Sequence, residues 1–206
     1  MEHSLHNKKK RVVAVCFSVF NIIMLLSHFG PLLVVLFQNF EHTANHLFVY
    51  LMPLIPPILA LVFFLTYKKE YRLKRWLLPL AFGIAALRSC MSLSPIFSIL
   101  TLLIYRPQYI LLFACPFLMV VALILAVIGT LSFKYVLLLK VGALGCAIVS
   151  LATVIVNFVL VGGFAYLQSV PTDISPINID SLLLVLSDIL FYMSFYILTA
   201  GEKTLE

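Results

Sequence analysis

Residues 77–94 read LLPLAFGIAALRSCMSLS, an apolar run of membrane-spanning length that contains a single arginine, Arg88. A helix of roughly 20 apolar residues crosses the hydrocarbon core of a bilayer, which is about 30 Å thick. A positive charge near the middle of that core costs about 2.5 kcal/mol or more, so Arg88 needs an acidic partner or a water-filled pocket. The stretch therefore predicts a transmembrane helix whose Arg88 faces a polar interior.

The rest of the chain has the same apolar character. Its 206 residues are 63% hydrophobic and 11% charged, whereas soluble domains are about 45–50% apolar and about 25% charged. We therefore expect an all-α integral membrane protein that forms a single membrane domain over residues 1–206. Six stretches are long enough to span a bilayer: 12–37, 47–67, 76–94, 109–131, 135–160 and 181–200.

Basic residues alternate between the two sides of these stretches. They cluster in residues 8–11 and 68–75, while the first, third and fifth connections between spans hold only Arg106. Cytoplasmic connections carry the excess of Lys and Arg, so we expect three tandem helical hairpins with both termini cytoplasmic. The same pattern argues against nucleic-acid binding despite a net charge of +6. With no N-x-[ST] acceptor, the sequence fits a multi-pass protein of a bacterial plasma membrane.

Prolines are expected to interrupt the outer ends of the first three predicted helices, the first of them at Gly30-Pro31. Ser94-Pro95 should end the third span, because proline disfavours helical backbone at the preceding residue. Residues 96–105 then form a short helix that lies at the outer interface or re-enters the membrane, and one long tilted third helix is the alternative. The second span contains three residues that lack a backbone N–H: Pro53, Pro56 and Pro57. It should therefore be broken near its outer third, or else residues 47–55 lie at the interface and Pro57 begins the true span.

Small and polar side chains recur at three- or four-residue spacing on several spans, which marks the faces where helices approach each other in lipid. For any one span, helix packing alone is a sufficient explanation. The fourth span has few polar groups and is expected to be a scaffold helix. Taken together, the polar faces predict an interior that contains Arg88, Asp188, Asn21, His28, Ser92, Ser150, Asn157 and Tyr192.

Asp188 is the best partner for Arg88. Arg88 lies thirteen residues beyond Arg75, about 19–20 Å above the inner boundary, and Asp188 lies seven residues inside Ser181, about 10–11 Å below the outer one. In a core about 30 Å thick these depths coincide. We expect an interhelical pair with one of two roles, a static ion pair that fixes helix register or a substrate or ion site. The third alternative is two unpaired charges that face different cavities.

Motifs for catalysis and metal binding are missing from the sequence. There is no HExxH or GxSxG motif, and Asp188 is the only carboxylate deep in a span, so we expect no enzyme activity and no cofactor. His42 and His46 are four residues apart beside Glu41. A zinc site needs three or four ligands, so this pair is a weak metal candidate.

Two functional classes remain open. The pair of Arg88 and Asp188, the proline-rich second span and the polar faces favour a component that binds or transports an unknown small solute or ion. Such a component would work in the lipid bilayer as a homo-oligomer or with membrane partner subunits. The alternative is a non-transporting interaction protein, such as an assembly factor, an immunity protein or a subunit of a larger complex.

Overall fold

The structure, a computed structural model, describes residues 2–38, 51–66, 76–98, 110–132, 136–157 and 179–199. These residues are helical, with no strand in the described ranges, so the all-α prediction is confirmed. A 3₁₀ turn, Met52–Leu54, leads directly into the second helix. In chain order the helices are α1 Glu2–Gln38, α2 Ile55–Thr66, α3 Leu77–Ser98, α4 Ile110–Ser132, α5 Val136–Asn157 and α6 Ile179–Thr199.

Four of these helices are long and apolar enough to cross a membrane. The qualifying segments are Lys9–Gly30, Ala114–Leu131, Val136–Val156 and Leu182–Thr199. Two shorter apolar segments, Met52–Thr66 and Leu77–Met91, accompany them. Large apolar side chains also lie exposed on the outer surface of the helices, as expected for contact with lipid, among them Leu87, Phe117, Leu137 and Ile148. These features are typical of a membrane-embedded protein.

Proline does not end α1, which continues through Gly30 and Pro31 to Gln38, and it does not end α3. The helix continues through Ser94 and Pro95 to Ser98, so the break expected at that dipeptide is absent. Proline removes one backbone donor, and a membrane helix tolerates this where neighbouring groups satisfy the freed carbonyl. Of the predicted separate helix over 96–105, residues 96–98 belong to α3 and the rest lie outside the described residues.

A 3₁₀ turn interrupts the second span where its prolines predict a break. Pro56 has no N–H to donate to the carbonyl of Met52, four residues earlier. That carbonyl instead accepts a bond from the N–H of Ile55, three residues on. The tighter turn therefore restores one of the backbone hydrogen bonds that the prolines remove.

The six helices of the described ranges form a closed ring in chain order. Each helix packs against the helices before and after it, and α6 packs against α1 to complete the ring. The tightest contact joins α4 and α5, where a Cβ at Gly142 would lie 2.5 Å from the backbone nitrogen of Ala126. A Cβ at Gly129 would likewise meet the backbone of Leu139. Neither position has room for a side chain, so these glycines allow the two backbones to touch.

Arg11 joins α1 to α2 at one end of the ring. Its guanidinium donates hydrogen bonds to the backbone carbonyls of Phe64 and Leu65, which lie in the last turn of α2. The last four carbonyls of a helix lack intrahelical donors, and a cation is favourable beside them. Arg11 therefore caps α2, a role that its place in a basic cluster does not reveal.

Aromatic side chains fill the ring at this same end. The ring of Phe195 in α6 lies 4.7 Å from that of Phe82 in α3, 5.2 Å from that of Phe64 in α2 and 5.3 Å from that of Phe191. These are ordinary separations for favourable tilted and edge-to-face pairs. All four side chains are buried. We call Phe64, Phe82, Phe191 and Phe195 the aromatic floor.

Candidate functional site

A cavity of about 310 Å³ lies next to the aromatic floor, inside the ring. All six helices and the 3₁₀ turn contribute to its lining. Arg88 lies six residues beyond Phe82 and Asp188 seven residues before Phe195, which places each of them about 9–11 Å along its helix from the floor. The polar side chains of the lining are Asn21, Arg88, Ser89, Thr153, Asp188 and Tyr192.

Asp188 is held in place by α1. The side-chain amide of Asn21 donates one hydrogen bond to Oδ1 of Asp188, at 2.8 Å, and another to Oγ of Ser187, at 3.0 Å. Ser187 in turn donates to the backbone carbonyl of Leu184 at 2.6 Å. Asn21 and Ser187 are buried, whereas Asp188 is half-buried. Because an amide nitrogen has two N–H donors, both donors of Asn21 are used, and one of them fixes one carboxylate oxygen. Oδ2 has no hydrogen bond within the described residues.

Arg88 contributes the opposite charge from the opposite side of the ring. Helices α3 and α6 are three places apart among six, so Arg88 and Asp188 face each other across the cavity. The arginine acts electrostatically on Asp188 and Tyr192. Within the described ranges, however, no guanidinium nitrogen of Arg88 lies within 4.0 Å of a carboxylate oxygen. Two opposite charges therefore share one cavity without forming a direct ion pair.

Four prolines line the cavity, and one of them leaves a backbone carbonyl without its helical donor. A proline cannot donate to the carbonyl four residues before it, so Pro57 leaves the carbonyl of Pro53 without its usual helical donor. Pro53 itself lines the cavity. Such carbonyls in a membrane helix are tolerated where they lie against protein or a polar cavity. The cavity is one such place, and its prolines are Pro53, Pro56, Pro57 and Pro116.

Four of the eight residues predicted for the polar interior line this cavity, namely Asn21, Arg88, Asp188 and Tyr192. Ser150 is buried but is not part of the lining. His28 lies seven residues beyond Asn21, on the same face of α1 but about 10 Å further along it. It is exposed there and packs edge-on against Phe29, with ring centroids 4.9 Å apart.

The remaining predicted residues fall outside the described side chains. Ser92 belongs to α3 and Asn157 to α5, but the structure describes only their backbone. His42 and His46 lie outside the described residues altogether. Among the residues that are described, no group of three His, Cys, Asp or Glu side chains could hold a metal ion.

Sequence reasoning missed the contribution of α4. The sequence predicts a scaffold helix because the span has few polar groups, yet Cys115, Pro116 and Met119 line the cavity. Apolar residues that line a cavity have no distinctive spacing, so only Pro116, a proline inside an apolar span, was an available signal. Ser187 was also missed, although it adjoins Asp188.

Comparison of the chain with protein-family models, with curated proteins and with solved structures gives no match. The ring of helices, the cavity and the charges in its lining are therefore the observations from which a function has to be inferred.

Proposed function

We propose that the protein crosses the membrane six times and binds a small solute or ion in the central cavity, as a transport-related component. It would act as a homo-oligomer or together with membrane partner subunits. The observation that carries the proposal is a cavity lined by the six described helices, with Arg88 and Asp188 in its lining. Ionisable residues inside membrane helices are costly and typically mark solute or ion pathways. Small-molecule sites are typically apolar pockets with a few convergent polar groups.

The absence of a direct ion pair supports solute binding over a purely structural role. A static pair that fixes helix register should close, because the attraction between two opposite charges falls as they separate. Within the described residues Arg88 and Asp188 do not make that contact. The non-transporting interaction protein, for which a structural pair would suffice, is therefore the weaker candidate.

The orientation we propose has both termini in the cytoplasm of a bacterium and the cavity toward the outer side of its plasma membrane. Arg11 and the aromatic floor lie at the same end of the ring, and cytoplasmic ends of spans carry the excess of basic residues. Reporters fused at successive sites should alternate between the outer and the cytoplasmic side, with the first one outside. Two adjacent sites that report the same side would contradict this topology. The sites are Thr43, Arg72, Pro107, Lys134, Asp173 and the C-terminus.

Thiol accessibility tests whether solutes reach the cavity. In a chain whose four cysteines are replaced by alanine, we expect Ser89→Cys to react in intact cells with a membrane-impermeant cationic methanethiosulfonate. Ser89 lines the cavity. Leu87→Cys, on the same helix, is the matched control, because Leu87 is exposed on the lipid-facing surface and its thiol would not ionise there. Equal labelling of both thiols, or of neither, would contradict a cavity open to the outer side.

A further inference from the structure

The charges of the cavity lining restrict the chemistry of its ligand. Arg88 offers a planar fork of N–H donors that suits a carboxylate. Asp188 offers Oδ2, which has no hydrogen bond in the described part of the chain, while Asn21 holds Oδ1. A negative group is therefore favoured on the α3 side of the cavity and a positive group on the α6 side.

The ring geometry keeps these two charges from satisfying each other. At the aromatic floor, Phe82 and Phe195 are large enough to meet across the ring, with centroids 4.7 Å apart. At the level of the cavity, Asn21 draws the carboxylate of Asp188 toward α1, and Arg88 remains beyond 4.0 Å of any described carboxylate. The two opposite charges on opposing helices therefore line one cavity without contacting each other, and a molecule in that cavity could contact both.

A ligand with only one charge would fit this gap poorly. A lone anion at Arg88 would be repelled by Asp188, and a lone cation at Asp188 would be repelled by Arg88. A molecule with both charges and no net charge meets two attractions at once. The volume of about 310 Å³ is at the small end of the range of about 300–1,000 Å³ for ligand pockets.

We infer that the cavity binds a small zwitterion of amino-acid size, with its ammonium group at Asp188 and its carboxylate at Arg88. Ser89, Thr153 and Tyr192 supply neutral hydrogen-bonding groups around it. This inference rests on the proposed function, since it names the class of solute that the same cavity takes.

Ligand binding to the full-length protein in nanodiscs tests the inference. The probes are the twenty standard amino acids, β-alanine, γ-aminobutyrate and 5-aminovalerate, together with amines and carboxylates of matched length, such as butylammonium and butyrate. Thermal unfolding finds the binders because a ligand of the native state raises the Tm, and calorimetry gives the Kd. At least one zwitterion should bind. Its amine-only and acid-only analogues should bind at least about tenfold more weakly.

Variants assign the two ends of the ligand. Arg88→Gln and Asp188→Asn should each weaken zwitterion binding by about tenfold to a hundredfold, the loss of one charge-assisted contact. Lys140→Gln is the matched control, because it removes a positive charge from α5 without changing the cavity lining. Where a neutral variant does not fold, Arg88→Lys and Asp188→Glu keep the charge, change its reach and should still weaken binding.

The outcomes separate this inference from the proposed function. Binding of an amine alone or a carboxylate alone, lost in only one of the two variants, would overturn the zwitterion and leave a solute site in place. A panel in which no zwitterion raises the Tm would also overturn it. The proposed function is tested separately, because equal labelling of Ser89→Cys and Leu87→Cys, or labelling of neither, would contradict it.

Discussion

The aromatic floor and the cavity are two levels of the same ring, built differently by the same helices. At the floor, α3 and α6 meet through Phe82 and Phe195, with centroids 4.7 Å apart. About two turns further along these helices, Arg88 and Asp188 line a cavity without a direct ion pair in the described ranges. Large apolar side chains close the ring at the aromatic floor. At the level of the cavity, prolines, small residues and separated charges keep the ring open.

Phe195→Ala should have the largest effect on stability, because it removes the side chain that three other floor residues contact. We expect a loss of about 3 kcal/mol, the lower end of the range for buried Phe→Ala, since lipid replaces water as the alternative surroundings. Unfolding in nanodiscs or mixed micelles measures it. Phe117→Ala, at a side chain 61% exposed on α4, is the control and should change stability little. Equal losses at both positions would show that the floor is not a packed core.

Asn21→Ala should have the next largest effect, at the level of the cavity. The substitution removes both hydrogen bonds from Asn21, to Asp188 and to Ser187, and should cost about 2 kcal/mol because one acceptor is charged. It should also free Asp188 to approach Arg88. The free energy of unfolding and the pairing of Asp188 in a structure of the variant are the measurements. An unchanged stability would contradict the role assigned to Asn21.

The double-mutant cycle of Arg88→Ala and Asp188→Ala sharpens the comparison further. Without a direct contact, the two substitutions should couple by about 1 kcal/mol or less in stability, as separated charges do. A closed buried pair would behave differently, with single variants that lose about 3–5 kcal/mol and a double variant that recovers. Unfolding of the four proteins decides between the two. A coupling of about 3 kcal/mol or more would restore the structural ion pair as the better explanation.

Ser18→Ala should have the smallest effect, in the opposite direction. Ser18 is fully buried in α1, one turn before Asn21, and its hydroxyl has no hydrogen-bond partner in the described part of the chain. Removing a buried hydroxyl without a partner should raise the free energy of unfolding by up to about 1 kcal/mol. A marked loss of stability would show that the hydroxyl has a native partner. The contrast with Asn21→Ala would then disappear.

The features that were predictable from the sequence have local signals. Apolar runs give the helices, and a charge within a run marks the face that avoids lipid, so Asn21, Arg88, Asp188 and Tyr192 could be assigned to one interior. These four residues do line one cavity. Helical spacing also assigned His28 to that interior, but spacing alone does not set the depth at which a cavity ends.

Other features depend on contacts between distant segments, which no local pattern encodes. The packing of α6 against α1 is one example, and the role of Arg11 as a cap for α2 is another. Pro95 shows the limit of a local rule, because the preference of Ser94 for extended backbone is overridden within α3. The cavity lining from α4 could not be recognised because its residues resemble ordinary lipid-facing ones.

Closure of the ring by α6 has a consequence for how the protein is made. The acceptors of the Asn21 amide, Ser187 and Asp188, follow it by 166 and 167 residues. At the usual synthesis rate of about 5–20 residues per second, the ribosome adds them about 8–30 s later. During that interval α1 resides in the membrane with an amide that lacks its native acceptors. Helix α6, which is made after α1, therefore completes the hydrogen bonding of Asn21, and a chain truncated before α6 would present an unsatisfied amide to the machinery that degrades unassembled membrane proteins.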